Sequence, residues 1–358
     1  LPLKRCVTFD AMNTFGHNFR LTTFGESHGP AIGGVVDGCP SGLTFDLDML
    51  QREMARRRPG QSALTTPRDE ADEVEILSGV FEGKTTGTPI GFLIRNKDQR
   101  SSDYDQLKDT FRPGHADFVY AQKYGHRDHR GGGRSSARET AARVAGGAIA
   151  RMLLRDSGIQ IFAYVSGVKD IHVPLPYTSL DLNTIELNAV RCPHPATAER
   201  MIKLIEKTRD EKDSVGGIIT AVAIGVPVCL GEPVFAKLNA ALASAMLSIN
   251  AVKSFEMGDG LSSTLRFGSE NNDSAETNHD GGITGGISNG KDLWFRIGFK
   301  PTSTIGKPQQ AVNTAGEEIT LEAAGRHDPC VLPRAVPIVE AMTALVLADA
   351  MLVHRMSR

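Results

Sequence analysis

Apolar residues recur every three or four positions in residues 47–58, 198–207, 234–249 and 338–355, the spacing that lays one stripe along a helix. Residues 33–37, 74–81, 89–94, 161–168, 217–228 and 293–299 read differently: they are short apolar, β-branched runs bounded by turn residues, and they predict strands. The second and third of these flank a Gly/Thr turn, as a hairpin does. Ser136, with Glu139 three residues on, has the form of a capping-box helix start, and Ala141, Val144, Ala145, Ile149 and Met152 supply the buried stripe of the helix that follows. Strands and helices mix without regular alternation, and neither an internal repeat nor a Pro/Ser linker is visible. The pattern therefore predicts one compact α+β or sandwich-like domain, not a doubly wound sheet. Residues 1–11 precede a methionine and lack the apolar core and cleavage site of a signal peptide, so they are read as a tag or upstream extension and the domain as residues 12–358.

Composition narrows the class. A hydrophobic fraction of 40% and a charged fraction of 23% belong to a globular chain, and no uninterrupted apolar run reaches the roughly 18 residues that span a bilayer. No membrane association is expected. A formal charge of -2 gives no whole-protein attraction to nucleic acid. The cysteines (Cys6, Cys39, Cys192, Cys229, Cys330) are odd in number and form no C-x-x-C pair, which fits free thiols in a reducing cytoplasm. Glycine, at 37 of 358 residues, exceeds the usual share of roughly 7% and suggests backbone turned close to ligands.

Candidate chemistry concentrates in three places. "FGESHGPAIGG" contains Ser27 and His28 in a G-x-S-x-G pattern, yet the glycines and β-branched residues that follow would start a poor helix, so the nucleophile elbow of a serine hydrolase is not expected. Arg130-Gly131-Gly132-Gly133-Arg134-Ser135-Ser136, with Arg138 beyond it, is a glycine loop entering a helix between arginines. That arrangement suits an anion, most simply phosphate; a basic loop that only caps its helix is the alternative the loop alone leaves open. His115 lies in "FRPGHAD", Asp328 in "GRHDPC", and Arg56, Arg57 and Arg58 end a predicted helix. Imidazoles and several cations together suit phosphate chemistry, whereas no histidine pair has metal-ligand spacing, so no metal is expected. An RNA-binding module would exploit "RGGGR" with Tyr120 and Tyr124, but 6% aromatics and no RNP-like motif give it little support.

From about Met12 to about Arg355, the order "GESHG", "RRRPG", "DQRSSDYD", "FRPGHAD", the glycine-arginine loop, "SINAVK", "GGITGGISNG", "KPTSTI" and "GRHDPC" resembles the chorismate synthase family. The resemblance implies a β-α-β sandwich-like fold, and an enzyme that removes the 3-phosphate and a C6 hydrogen from 5-enolpyruvylshikimate 3-phosphate, giving chorismate at the last common step toward aromatic amino acids. It implies a need for reduced FMN without net redox change, with NADPH serving only indirectly to reduce flavin, and with an external flavin reductase as a possible partner. A cytoplasmic homotetramer that binds neither nucleic acid nor membrane is also implied.

By the same resemblance, His28 is the acid toward leaving phosphate with Ser27 beside it, and His115 governs protonation of the reduced flavin. Asp328 helps remove the C6 proton, and Ser136 places a hydroxyl near the flavin. Flavin contacts are implied for Arg134, Ser135, Ser136, Asn250, Ala251, Gly285, Lys300, Pro301, Thr302, Ser303, Thr304 and Arg326. Arg57, Arg58 and Arg138 are implied for substrate anions or NADP. In one departure, Ala63 stands where the family often has another basic residue.

Overall fold

The computed structural model describes residues 13–60, 72–97, 108–322 and 328–357. Their centre is the helix Thr140–Arg155, in which 13 of 16 residues are buried. Its alanines and glycines are what let it lie between two layers at once. A Cβ on Gly146 would stand 2.8 Å from the Leu21 side chain of the first sheet, and one on Gly147 would stand 2.4 Å from the Ala341 Cβ of the C-terminal helix Leu332–Met356. Small residues here set the layer spacing, as close packing demands.

The first sheet is antiparallel and runs Thr14–Phe15, Arg20–Gly25, Ala31–Asp37, Ile90–Arg95, Val74–Ile76 in spatial order. The second, also antiparallel, runs Ile171–His172, Gln160–Val168, Gly217–Ile224, Leu293–Phe299, Val252–Met257. The central helix packs on the first sheet and the C-terminal helix on the second, with the two helices against each other. The result is an α+β sandwich of sheet, helices, sheet, with one continuous buried cluster reaching from Phe19 to Met351. Leu293–Phe299 alternates buried and half-buried side chains along its whole length, the period-2 signature of a strand.

Several predicted elements differ in extent. The 74–81 run divides into Val74–Ile76 and Val80–Phe81, because Gly79 between them takes a φ of +80°. Its pairing with Ile90–Arg95 is nevertheless the antiparallel one expected of a hairpin. The 234–249 helix begins only at Leu238, leaving Phe235 98% exposed in a loop. The capping box at Ser136 is not formed. Ser136 caps a 3-10 turn, Ala137–Glu139, by accepting the Arg138 N–H at 3.3 Å; the α-helix starts at Thr140, and Glu139 pairs with Arg143 at 3.0 Å.

The C-terminal helix is apolar on every side, so its pattern shows more hydrophobicity than a single stripe would need. An 18-residue window has mean hydropathy 1.9, long and apolar enough to cross a bilayer by composition, but 78% of it is buried inside the protein. Glu340 interrupts it, and the fold surrounds that carboxylate with Arg56 at 2.5 Å, Arg151 at 3.5 Å and the Ala163 N–H at 3.0 Å. Burial raises its pKa, and the two arginines more than reverse this, so the group is held below the usual carboxylate range.

Gly147→Ala tests the layer spacing. At an open helix position this change would stabilise by up to about 1 kcal/mol. Here the added Cβ meets the Cα and carbonyl oxygen of Ala341 at 2.5 and 2.8 Å. A net loss of about 1–3 kcal/mol is expected in urea unfolding; a gain would show that the two helices have slack.

Candidate active site

One cleft of about 470 Å³ opens where the end of the helix Leu47–Arg57, the start of the C-terminal helix and three loops converge. The loops carry residues 112–116, 132–140 and 299–304, and Ile249, Asn250 and Ala251 close one side. Backbone geometry fixes these walls. Gly114 has a φ of +65°, and its carbonyl accepts hydrogen bonds from Lys300 Nζ at 2.8 Å and Ser303 Oγ at 2.7 Å. Ala251 has a φ of +68°, uncommon for a residue with a Cβ, and its carbonyl accepts the Lys300 N–H at 2.9 Å. Asn250 donates through Nδ2 to the Ser135 carbonyl at 2.9 Å, which ties the glycine-arginine loop to the opposite wall.

Among the described residues, the cleft is lined by five cations (Arg57, Arg112, Arg138, Lys300 and Arg334) and one carboxylate, Asp328. Two further carboxylates stand behind the lining. Asp72 accepts from Arg57 at 2.8 Å and also from Arg138, whose Nε reaches Asn96 at 2.9 Å. Asp117 accepts from Arg112 at 2.7 Å, while Arg334 lies 2.5 Å from Asp328. A surplus of positive charge remains and faces the cleft.

The electrostatics follow from this packing. Burial pushes the Arg57 guanidinium down to about 10; Asp72 opposes that shift, and the neighbouring Arg334 and Arg138 add to it. Burial works to raise the Asp72 carboxyl, but Arg57 and Arg138 outweigh it and hold it below its ordinary value. Asp117 behaves likewise: burial raises it, and Arg112 and His115 beside it hold it well below the carboxylate range. Among the described residues, Arg57 Nε, His115 Nδ1 and Asn250 Oδ1 are three of the eight buried side-chain polar atoms without a hydrogen-bond partner. Buried polar atoms are rarely left so. These three belong to residues lining the cleft.

Of the residues anticipated from sequence, Arg57, His115, Ser135, Ser136, Arg138, Asn250, Ala251, Lys300, Pro301, Thr302, Ser303, Thr304 and Asp328 line this one cleft. Others stand elsewhere. Ser27 and His28 sit in the turn between Arg20–Gly25 and Ala31–Asp37, followed by a strand and not by the helix of a nucleophile elbow. They lie beneath the glycine loop: a Cβ on Gly131 would stand 2.5 Å from the His28 ring and 3.2 Å from Ser27 Oγ. His28 is 7% exposed and is not part of the lining. Arg134 is turned away, donating to the Thr23 hydroxyl at 2.7 Å and to the Gly25 carbonyl at 3.2 Å. Gly285 is in the exposed turn between Ile283–Thr284 and Ile287–Ser288, and Arg58 is exposed at its helix end; neither lines the cleft. Arg326 and Ala63 lie outside the described residues.

Asp72, Arg112, Asp117 and Arg334 were missed by sequence reasoning. Arg112 and Asp117 stood inside a motif singled out for its histidine, and Arg334 follows "GRHDPC" by only four residues. For Asp72 no local signal exists.

The sequence profile of the family described as "Chorismate synthase" matches residues 19–352. A chorismate synthase of Parabacteroides distasonis is 58% identical over 353 residues, covering 96% of this chain and 99% of that protein. One of Cytophaga hutchinsonii is 56% identical over 347 residues, covering 94% and 96%. A solved structure titled "Crystal Structure of Chorismate Synthase" is 30% identical, with a TM-score of 0.73 over 94% of this chain and 92% of that one.

Asp72→Asn tests the electrostatic frame. Removing the shared counter-charge of two arginines, one of them 1% exposed, is expected to cost about 3–5 kcal/mol at pH 7. Because the folded Asp72 carboxyl is depressed, its contribution is complete above the unfolded value near 3.9 and is lost as pH falls through the folded value. In urea unfolding the gap between parent and variant should stay constant from pH 7 to about 5 and narrow below about 4. A gap that closes between pH 7 and 5 would mean that Asp72 titrates in the ordinary range.

Proposed function

The chain belongs to the chorismate synthase family, and from that premise we propose that its cleft converts 5-enolpyruvylshikimate 3-phosphate to chorismate and phosphate by 1,4-anti elimination, the chemistry of a carbon-oxygen lyase. The observation that carries this reading is the excess of fixed cations facing one cleft of about 470 Å³. The proposed substrate bears a phosphate and two carboxylates, and several arginines held apart by the fold match several anions better than a single phosphate would.

The residues present fit a flavin as well. The unpartnered Asn250 Oδ1 lines a wall formed with Ala251 and Lys300 through Thr304, where backbone and hydroxyl groups offer hydrogen bonds to a flat, polar-edged ring. Ser135, Ser136, Asn250, Ala251 and the 300–304 segment would hold reduced FMN. When bound, it supplies transient electron density that eases loss of phosphate, with no net oxidation or reduction.

The protein's own groups do the rest. Arg57, Arg138 and Arg334 bind and orient the substrate anions, and Asp72 fixes the first two of these side chains. His28 gives its proton to the leaving phosphate with Ser27 beside it; both stand under Gly131, one residue from Gly132 in the cleft wall. Asp328, oriented by Arg334 at 2.5 Å, helps take up the C6 proton. His115 acts on the protonation state of the reduced flavin. We place the activity at the last common step of aromatic amino acid biosynthesis, in a cytoplasmic homotetramer, with NADPH entering only through flavin reduction, by this enzyme or by an external reductase.

The test is an anaerobic chorismate assay with reduced FMN present or omitted, and strict dependence on the reduced flavin is expected. In single turnovers, His28→Ala should slow phosphate release by about 10²- to 10⁴-fold without altering the bound-flavin spectrum. His115→Ala should alter that spectrum, and Asp328→Ala should retain both ligands while losing turnover. A spectrum changed by His28→Ala and not by His115→Ala would reverse the two assignments.

A further inference from the structure

We propose that Arg191, which does not line the cleft, is a positioning residue for it: its guanidinium bonds the carbonyls of Arg56 and Pro333 together, and so fixes the distance between the two helix ends that present Arg57 and Arg334. The proposal deepens the reading of Arg57 and Arg334 as substrate-binding cations and rests on it for its catalytic consequence. The staple itself is independent of the reaction.

Both carbonyls lack the partner that a helix supplies. In an α-helix the carbonyl of residue 333 would accept the N–H of residue 337. That residue is Pro337, inside the helix Leu332–Met356, and proline has no N–H to give. The Arg56 carbonyl belongs to the last turn of Leu47–Arg57, where no later helical N–H follows. Arg191 Nη2 donates to the Arg56 carbonyl at 2.8 Å, and Nη1 donates to that of Pro333. The charge of Arg191 also stands at the negative end of the first helix, where a cation is favourable. Alongside, Arg334 Nε donates to the Arg57 carbonyl at 3.3 Å, so two guanidiniums cross between the helix ends.

The chain aims this side chain with an unusual backbone. Arg191 has a φ of +59°, uncommon for a residue with a Cβ, and is 6% exposed. Asn188 brackets the turn, accepting the Cys192 N–H at 3.2 Å and donating to the Cys192 carbonyl at 2.8 Å. The Arg191 carbonyl accepts the Val165 N–H of the second sheet at 2.9 Å, and its third nitrogen, Nε, donates to Glu186 at 3.0 Å. A strained residue persists where its surroundings over-determine it, and here they reach 135 positions along the chain to Arg56 and 142 to Pro333. Burial lowers the Arg191 pKa, Glu186 opposes that shift and Arg56 adds to it, while the guanidinium stays charged. A lysine could not take its place: an ammonium donates from one point, whereas three guanidinium nitrogens reach three acceptors at a fixed spread. Without the staple, Arg57 and Arg334, whose like charges oppose each other, would separate.

The experiment compares Arg191→Lys in the parent and in a Pro337→Ala background, because alanine at 337 returns an N–H to the Pro333 carbonyl. Hydrogen exchange of the full-length, ligand-free chain is the first reading. Arg191→Lys should speed exchange by about tenfold or more at residues 54–58 and 334–340, the scale of a lost charge-assisted hydrogen bond, and leave both sheets unchanged. Adding Pro337→Ala should restore the second segment and not the first. In turnover with reduced FMN, Arg191→Lys should raise KM for 5-enolpyruvylshikimate 3-phosphate by about 10- to 100-fold with a far smaller change in kcat, the scale of a shift of about 1 Å in a group that positions substrate. Pro337→Ala should recover part of that loss. Reduced-flavin affinity should stay within about twofold, because Asn250, Ala251 and Lys300–Thr304 are carried by other elements. Parent-like exchange at both segments, faster exchange throughout the fold, or a loss that Pro337→Ala leaves untouched overturns the proposal. Should Arg191→Lys fold only together with Pro337→Ala, the proposal stands; should it fold in neither background, it falls. An absence of chorismate formation by the parent would remove the proposed reaction, and the exchange comparison would then decide the staple by itself.

Discussion

Arginine does not discard its charge at any pH a cell reaches, so a fold that gathers Arg57, Arg112, Arg138 and Arg334 at one cleft must hold them against their own repulsion. Everything about the site follows from how that is done. Asp72 is shared between Arg57 and Arg138, Asp117 between Arg112 and Arg127, and Asp328 is matched with Arg334. Each carboxylate orients a guanidinium at the cleft. Arg57 shows the remaining tension most clearly: it is 1% exposed, its pKa is pushed down to about 10, and its Nε has no partner among the described residues. An anion entering the cleft relieves this, and the site is thereby preorganised for negative charge.

Such a frame needs rigid elements behind it. Adjacent residues at the end of one helix divide the work: Arg56 turns inward to Glu340, and Arg57 turns to Asp72 and the cleft. Glu340 lies six residues beyond Arg334 on the C-terminal helix, so the helix that presents a cation to the cleft is itself fixed through a buried carboxylate. Breaking a buried pair of this kind is far more damaging than its net contribution suggests, because the surviving charge is left in a medium that cannot solvate it. The close approach at Gly146 and Gly147 sets the distance between the same layers. Scaffold and site are joined through these few contacts.

The sequence carried more of the site than of its electrostatic support. Lys300–Thr304 and Asn250–Ala251, which only the family resemblance implied, do converge on the cleft. The arginine-glycine loop was read as one anion-binding unit, yet its two parts diverge. Ser135 and Ser136 face the cleft, while Arg134 is spent on the carbonyls and hydroxyl of a neighbouring strand. A guanidinium binds a carbonyl, a carboxylate or a phosphate with the same donors, so its chemistry does not reveal its direction. The helix expected over 234–249 begins late for a related reason: the apolar spacing is present, but Phe235 finds no layer to pack against.

By itself the sequence determined what depends on neighbours within a few residues. It set the alternation of Leu293–Phe299, the small-residue run of Thr140–Arg155, and the turn at Gly114 that brings Arg112, His115 and Asp117 together. The tertiary structure alone decided which groups meet across the layers. Asp72 reaches Arg138 over 66 positions, Arg56 reaches Glu340 over 284, and Gly131 settles onto His28. The reason is physical. Local steric and hydrogen-bonding preferences are read along the chain, whereas charge pairing and burial depend on distances in space, and those exist only once the apolar faces of separate elements have chosen their partners.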